Sequence, residues 1–185
     1  MPADLTIFAA KYLVFIDAVL AAATIFLLIR RRAPSWLVRY AVIAVLLLIL
    51  SYVFAKIGGA VYTDPRPFTQ DHVKPLISHA RDNGFPSDHA LLAAALVALV
   101  GLADPLWALP FVVLAVLVDW ARVGAGIHHV ADVVASSLFV ALACGIALLL
   151  TPVIVPHLAP FLPEWMGVSQ PAAADAAPRD RSRLP

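Results

Sequence analysis

The stretch Arg122-Val123-Gly124-Ala125-Gly126-Ile127-His128-His129-Val130-Ala131-Asp132 lies between two long apolar runs. It therefore sits at a membrane boundary, where an arginine, two histidines and an aspartate are costly unless they have work to do. His128 and Asp132 are four positions apart, and on a helix that spacing places them on one face. A carboxylate so placed hydrogen-bonds one imidazole nitrogen and leaves the other free, as in a nucleophile or a general base. Arg122 precedes His128 across Gly124 and Gly126 and offers a planar fork suited to phosphate.

Outward from this stretch the chain is apolar. Of its 185 residues 62% are hydrophobic and 14% charged, with a mean hydropathy of +0.90. Soluble domains are about 45–50% apolar, so the expected class is an all-α integral membrane protein. Five runs approach the roughly 20 residues that a spanning helix needs, predicting a bundle of five or six transmembrane helices with the active site at one membrane face. The runs are Leu5 to Ile29, Trp36 to Ile57, Ser87 to Gly101, Asp104-Pro105 to Val123, and His128 to Leu150. Gly58-Gly59 is expected to stop the second, and Pro152, Pro156, Pro160 and Pro163 to end regular helix after the fifth. Residues 1–168 read as one transmembrane domain, and 169–185, rich in Ala, Pro and Arg, as a disordered cytoplasmic tail.

The N-terminus lacks a basic region and a cleavage site, so the first run is expected to be a retained span. Arg30, Arg31, Arg32 and Arg39, with Arg179, Arg181 and Arg183, fall on one side of five spans, and basic residues mark the cytoplasmic side. The segment 62–86 and the stretch 122–132 then meet at the outer face. Trp36, Trp107, Trp120 and Trp165 fall near span ends, as an aromatic belt does. A net charge of +1 without a basic stripe argues against nucleic acid. Cys144 reads as a small core residue.

Two further stretches carry chemistry. In Asp64-Pro65-Arg66-Pro67-Phe68 the prolines stiffen the backbone around Arg66. In Gly84-Phe85-Pro86-Ser87-Asp88-His89, Ser87 is an N-cap candidate, so the first N–H groups of the third helix suit an anion. His89 is placed to protonate a leaving oxygen. Two arginines, a helix start and two histidines make a phosphoryl-transfer site, where positioning and charge stabilisation supply the catalysis.

Arg66-Pro67, Pro86-Ser87-Asp88-His89 and Arg122…His128…Asp132 resemble the three signature motifs of the type 2 phosphatidic acid phosphatase superfamily. With Leu76-Ile77-Ser78-His79-Ala80, they resemble most the bacterial undecaprenyl-pyrophosphate phosphatases. Three positions depart from the family pattern. Lys56 stands ten residues before Arg66 instead of seven, Asp88 replaces a glycine, and Ala121 replaces a serine. A bend at Gly58-Gly59 would bring Lys56 within reach. The resemblance implies that His128 attacks phosphorus, Asp132 fixes its tautomer, and His89 protonates the leaving group. Arg66, Arg122, Ser87, Lys56 and Asp88 are then the phosphate-binding set, with no metal and no cofactor. It also implies a polyprenyl or other lipid phosphate as substrate, membrane lipids as surroundings, and the bacterial inner membrane as location.

Other readings use the same residues. Phosphatidylglycerol phosphate or phosphatidic acid could be the substrate. His89, His128, His129 and Asp132 are also metal-type ligands, although two arginines beside a cation argue against that. A transporter would carry its polar groups nearer mid-membrane. His129 reads as structural, His72 and His79 as solvated loop residues, and His157 as remote. Asp119 is in reach of Arg122, and Asp17 has no evident partner.

Overall fold

The computed structural model describes residues 2–70 and 73–168, so the expected tail and His72 lie outside the described residues. The described chain is helical, with five long helices: α1 (Ala3–Ile29), α2 (Pro34–Val61), α3 (Asp88–Ala103), α4 (Ala108–Gly124) and α5 (Val130–Leu158). One helical turn at Pro67–Gln70 and two 3-10 turns, Ala159–Phe161 and Glu164–Met166, complete it. By length and composition α1, α2 and α5 can each cross a bilayer. The helices α3 and α4, at 16 and 17 residues, are about 24 and 26 Å long, short of a hydrocarbon core of about 30 Å.

The short α3 is nevertheless the centre of the bundle, packing against all four other helices. Its small side chains allow this: Ala90, Ala93, Ala95 and Ala103 are buried, with Leu96 and Val100 between them, and small residues let helix backbones approach closely in a membrane. Its two ends are tied to opposite parts of the bundle. At one end the Ser87 N–H donates to the Asp132 carbonyl at the start of α5 (3.4 Å). At the other, Arg32 in the α1–α2 turn donates to the Ala103 carbonyl (3.3 Å). The site end and the Arg30–Arg32 end are therefore opposite. Large apolar side chains such as Val19, Leu138 and Leu149 cover the outside, as a lipid-facing surface requires.

Several boundaries differ from the sequence reading. Helix α2 does not stop at Gly58-Gly59 but continues to Val61. The glycines serve packing there: a Cβ on Gly58 would lie 2.8 Å from two ring atoms of Phe139. Asp104-Pro105 does not open α4; Asp104 caps α3, and its Oδ1 accepts the Leu106 N–H (3.0 Å) before α4 starts at Ala108. Helix α5 starts two residues after His128 and continues through Pro152 and Pro156. Intramembrane helices tolerate proline where side chains and neighbours satisfy the freed backbone. The missing N–H groups of Pro152 and Pro156 free the carbonyls of Leu148 and Pro152; on the adjacent residues Thr151 bonds back to the Ala147 carbonyl (2.7 Å), and His157 Nδ1 lies 2.7 Å from that of Val153. Asp17 is fully buried on α1, and neither carboxyl oxygen has a partner among the described residues.

Candidate active site

The turn between α4 and α5 brings the charged residues together. Gly126 adopts φ +70°, and a Cβ on it would lie 2.9 Å from Val73, so glycine is required there. Ala125 and Ile127 are buried beside it, and the turn folds inward, carrying Arg122, His128 and Asp132 out of solvent (4%, 3% and 0% exposed).

His128 and Asp132 do not share a helical face. His128 precedes α5, His129 is its N-cap, and Asp132 is the third helical residue reaching back. Asp132 Oδ2 accepts the His129 N–H (2.9 Å) and lies 3.2 Å from His128 Nδ1. His128 Nε2 lies 3.2 Å from Arg66 Nη1 and 3.3 Å from Arg122 Nη2. Guanidinium nitrogens only donate, so Nε2 carries the lone pair and Nδ1 the proton. Burial holds the His128 pKa below the usual imidazole value, the Asp132 hydrogen bond opposes this, and the arginines add to the lowering. The neutral, nucleophilic form is favoured.

Arg66 reaches His128 from the segment after α2. Its Nε donates to Asp82 (2.7 Å) and its Nη1 to the Ile127 carbonyl (2.9 Å). The Arg66 hydrogen bond holds the Asp82 carboxyl below its ordinary pKa. Asn83 ties this segment to α2, donating to the Gly59 and Tyr62 carbonyls (both 3.0 Å) and accepting from the Asp64 N–H (2.9 Å). Pro65 pairs with Asn83 in an isolated antiparallel bridge. Arg122 is held from the other side by the Ala10 carbonyl (3.1 Å), which belongs to a π-helical turn, Ala9–Leu13, within α1. Such turns recur at functional sites.

A cavity of about 400 Å³ opens over these groups. Arg66, Arg122 and His128 line it with His89, Asp88, His79 and Lys56. The Phe15 ring meets that of His89 edge-on, with centroids 6.1 Å apart. Lys56 lines the cavity from an α2 that is continuous through Gly58-Gly59, its Nζ over the Tyr52 ring (5.2 Å). Ser87 is the N-cap residue of α3, but its side chain makes no capping bond; its Oγ is buried without a partner among the described residues. Arg122 Nε and His79 Nδ1 are likewise buried and unpartnered there. Two such nitrogens beside a cavity carrying two guanidinium groups suit an oxyanion with several acceptor oxygens.

His79 is not a solvated loop residue. It lines the cavity, with Nε2 3.4 Å from Arg122 Nη2 and its ring centroid 6.3 Å from that of His128. Burial, then Arg66 and Arg122, push its pKa down. The available signal was its place in the run Leu76–Ala80, which folds over the turn: Ile77 is buried and the Leu76 N–H donates to the Ala125 carbonyl (3.0 Å). No hydrogen bond or ion pair joins Asp119 to Arg122 among the described residues, and Asp119 instead lines an apolar groove with Trp120. The metal-type set His89, His128, His129 and Asp132 is divided: His89 and His128 face the cavity, while His129 and Asp132 cluster with Asp64. Ligand atoms of Asp64, His129 and Asp132 lie within 4.8 Å of one another. Hydrogen bonds engage Asp64 Oδ2, His129 Nδ1 and Asp132 Oδ2, while Asp132 Oδ1 is buried without a partner among the described residues.

The fold and site define a membrane-embedded helical bundle with a carboxylate-held histidine between two arginines at one end. Residues 40–155 match the PAP2 superfamily, and the chain belongs to it. It is 33% identical over 132 residues to the bacitracin transport permease protein BcrC of Bacillus licheniformis, covering 71% of this chain and 63% of that protein. It is 38% identical over 85 residues to the undecaprenyl-diphosphatase BcrC of Bacillus subtilis, covering 46% and 44%. The chain thus spans less than two thirds of the length of either relative. No solved structure matches it.

Proposed function

We propose that this protein is a lipid-phosphate phosphatase that hydrolyses undecaprenyl or a similar polyprenyl diphosphate to the monophosphate and inorganic phosphate. The observation that carries this is His128, with Nδ1 against Asp132 and Nε2 turned toward Arg66 and Arg122. In the first step Nε2 attacks the terminal phosphorus and the bond to the bridging oxygen breaks. The oxygen leaves with the polyprenyl monophosphate, and His89, in the same cavity, supplies its proton. Water then attacks the phosphohistidine and gives a proton back to His89 as the P–N bond breaks, releasing phosphate and restoring both histidines. Arg66 and Arg122 hold the equatorial oxygens as their charge changes, with Lys56 at the rim. Asp88 is an exposed carboxylate at the start of α3. It suits the helix dipole and supplies no donor to phosphate when ionised.

The shape of the cavity supports a lipid substrate. Tyr52, Ala55 and Lys56 of α2 line it, and Tyr52 lies nine residues, about 13 Å, before the end of that helix. The cavity so extends beside the apolar belt, giving a prenyl chain a path along α2. The name of the Bacillus subtilis relative agrees with this substrate. The other relative is named a permease, but the lining comes from the site end of the bundle, which favours a pocket over a passage. We place the site on the outer side of the bacterial inner membrane, because the arginines 30–32 lie at the opposite end. Residues 1–168 form the phosphatase domain in this reading, and the product re-enters cell-wall synthesis as its lipid carrier.

The test is phosphate release by purified protein in detergent, with a chelator present. The panel is undecaprenyl diphosphate, phosphatidylglycerol phosphate and phosphatidic acid. Preferred turnover of the diphosphate supports the reading; preference for either other lipid moves the substrate within the family. Release that requires a divalent ion overturns the histidine mechanism.

A further inference from the structure

We propose that Asp64 and His129 form a positioning pair that holds Asp132, and through it His128, in the attacking geometry. This rests on the phosphatase reading above. His129 and Asp132 cap α5 reciprocally: the His129 side chain takes the Asp132 N–H, and Asp132 Oδ2 takes the His129 N–H (2.9 Å). The same Oδ2 faces His128 Nδ1, so any rotation of the His129 backbone moves the oxygen that orients the nucleophile. What fixes His129 is Asp64, whose Oδ2 lies 3.0 Å from its Nδ1.

Asp64 is itself fixed at both backbone groups. Its N–H donates to Asn83 Oδ1 (2.9 Å), and its carbonyl accepts from Gly84 (2.8 Å). A Cβ on Gly84 would lie 3.1 Å from that carbonyl and 3.3 Å from Asp132 Oδ2, so the two aspartates close over a glycine. Burial and the Asp132 charge lift the Asp64 carboxyl above the ordinary range, and His129 opposes this. Two residues further on, Arg66 contacts Nε2. Asp64 thus ties the segment carrying Arg66, on the Nε2 side of the nucleophile, to the helix start carrying Asp132, on its Nδ1 side. Neither Asp64 nor His129 lines the cavity, so neither is expected to contact substrate.

The experiment uses the full chain in detergent with undecaprenyl diphosphate, comparing variants whose thermal unfolding matches wild type. Asp64→Ala and His129→Ala should each lower kcat about tenfold, since displacements well under an ångström at reacting groups cost this much. KM should stay within twofold. The double variant should lose no more than the worse single one, because both break one link. Asp64→Asn should recover kcat to within threefold of wild type, since an amide offers either a donor or an acceptor to Nδ1. Losses in KM instead of kcat, losses that multiply in the double variant, unaffected Asp64→Ala, or Asp64→Asn as poor as alanine would each overturn the pair. If alanine at 64 unfolds the chain, Asp64→Asn against His129→Gln decides by the same kcat and KM criteria. An inactive wild type, or an active His128→Ala, would instead strike the phosphatase reading.

Discussion

Arg66→Lys keeps the positive charge and removes the fork. Arg66 is 5% exposed and its guanidinium makes three contacts: Nε to Asp82, Nη1 to the Ile127 carbonyl, and Nη1 to His128 Nε2. A lysine ammonium on a flexible stem cannot reproduce this planar set. The Asp82 bond is worth least, about 1 kcal/mol or less, because that carboxylate is 59% exposed. The buried bond to Ile127 is charge-assisted and worth about 1.5–3 kcal/mol, and the second donor toward the transferring phosphoryl group is lost with it. A loss of about 2–4 kcal/mol in transition-state stabilisation follows, or roughly 30- to 700-fold in kcat/KM at about 1.4 kcal/mol per decade. The assay is initial phosphate release below KM, on protein shown by gel filtration and thermal unfolding to be folded. Asp82→Asn, which removes only the rim partner's charge, should stay within about fivefold of wild type. Arg66→Lys within threefold of wild type would refute the claim that the fork binds the transferring group.

The acid limb of kcat/KM should lie below pH 6.5, because burial and two arginines favour neutral His128 and protonation comes only at lower pH; a limb at or above 6.5 contradicts this. Gly58→Ala should destabilise the bundle by about 1–3 kcal/mol through overpacking against Phe139, lowering Tm, whereas Gly145→Ala, with nothing within 4 Å, should not. In a Cys144→Ala background, a cysteine at the exposed Gln70 should react with an impermeant maleimide in intact cells. One at Leu106, 72% exposed and in the turn at the other end of the bundle, should not; the opposite pattern places the site on the cytoplasmic side.

The site was more legible than the helix boundaries. Arg66, His89, Arg122, His128 and Asp132 are polar residues that an apolar chain retains at span ends, and their spacing carried the reading. Its geometric basis was different: four residues apart suggested one helical face, whereas the contact comes from a helix start reaching back to a loop. Gly58-Gly59 and Pro152 looked like breaks because local propensity says so. Packing against Phe139 and the bonds of a long membrane helix outweigh that propensity. His79 was missed, although it stands in the run Leu76–Ala80, because its role depends on that loop folding back over the Gly126 turn, a long-range contact. Asp64 and His129 escaped for the same reason, since 65 positions separate them.

The central claim is that His128 carries the phosphoryl group. It is tested most directly by quenching wild-type protein in alkaline detergent during turnover of a polyprenyl diphosphate radiolabelled in its terminal phosphate. Labelled protein should appear, with the label on the peptide containing His128, stable to alkali and lost in acid, and absent from His128→Ala. Turnover that leaves no label on the protein, or label that persists in His128→Ala, would contradict the account.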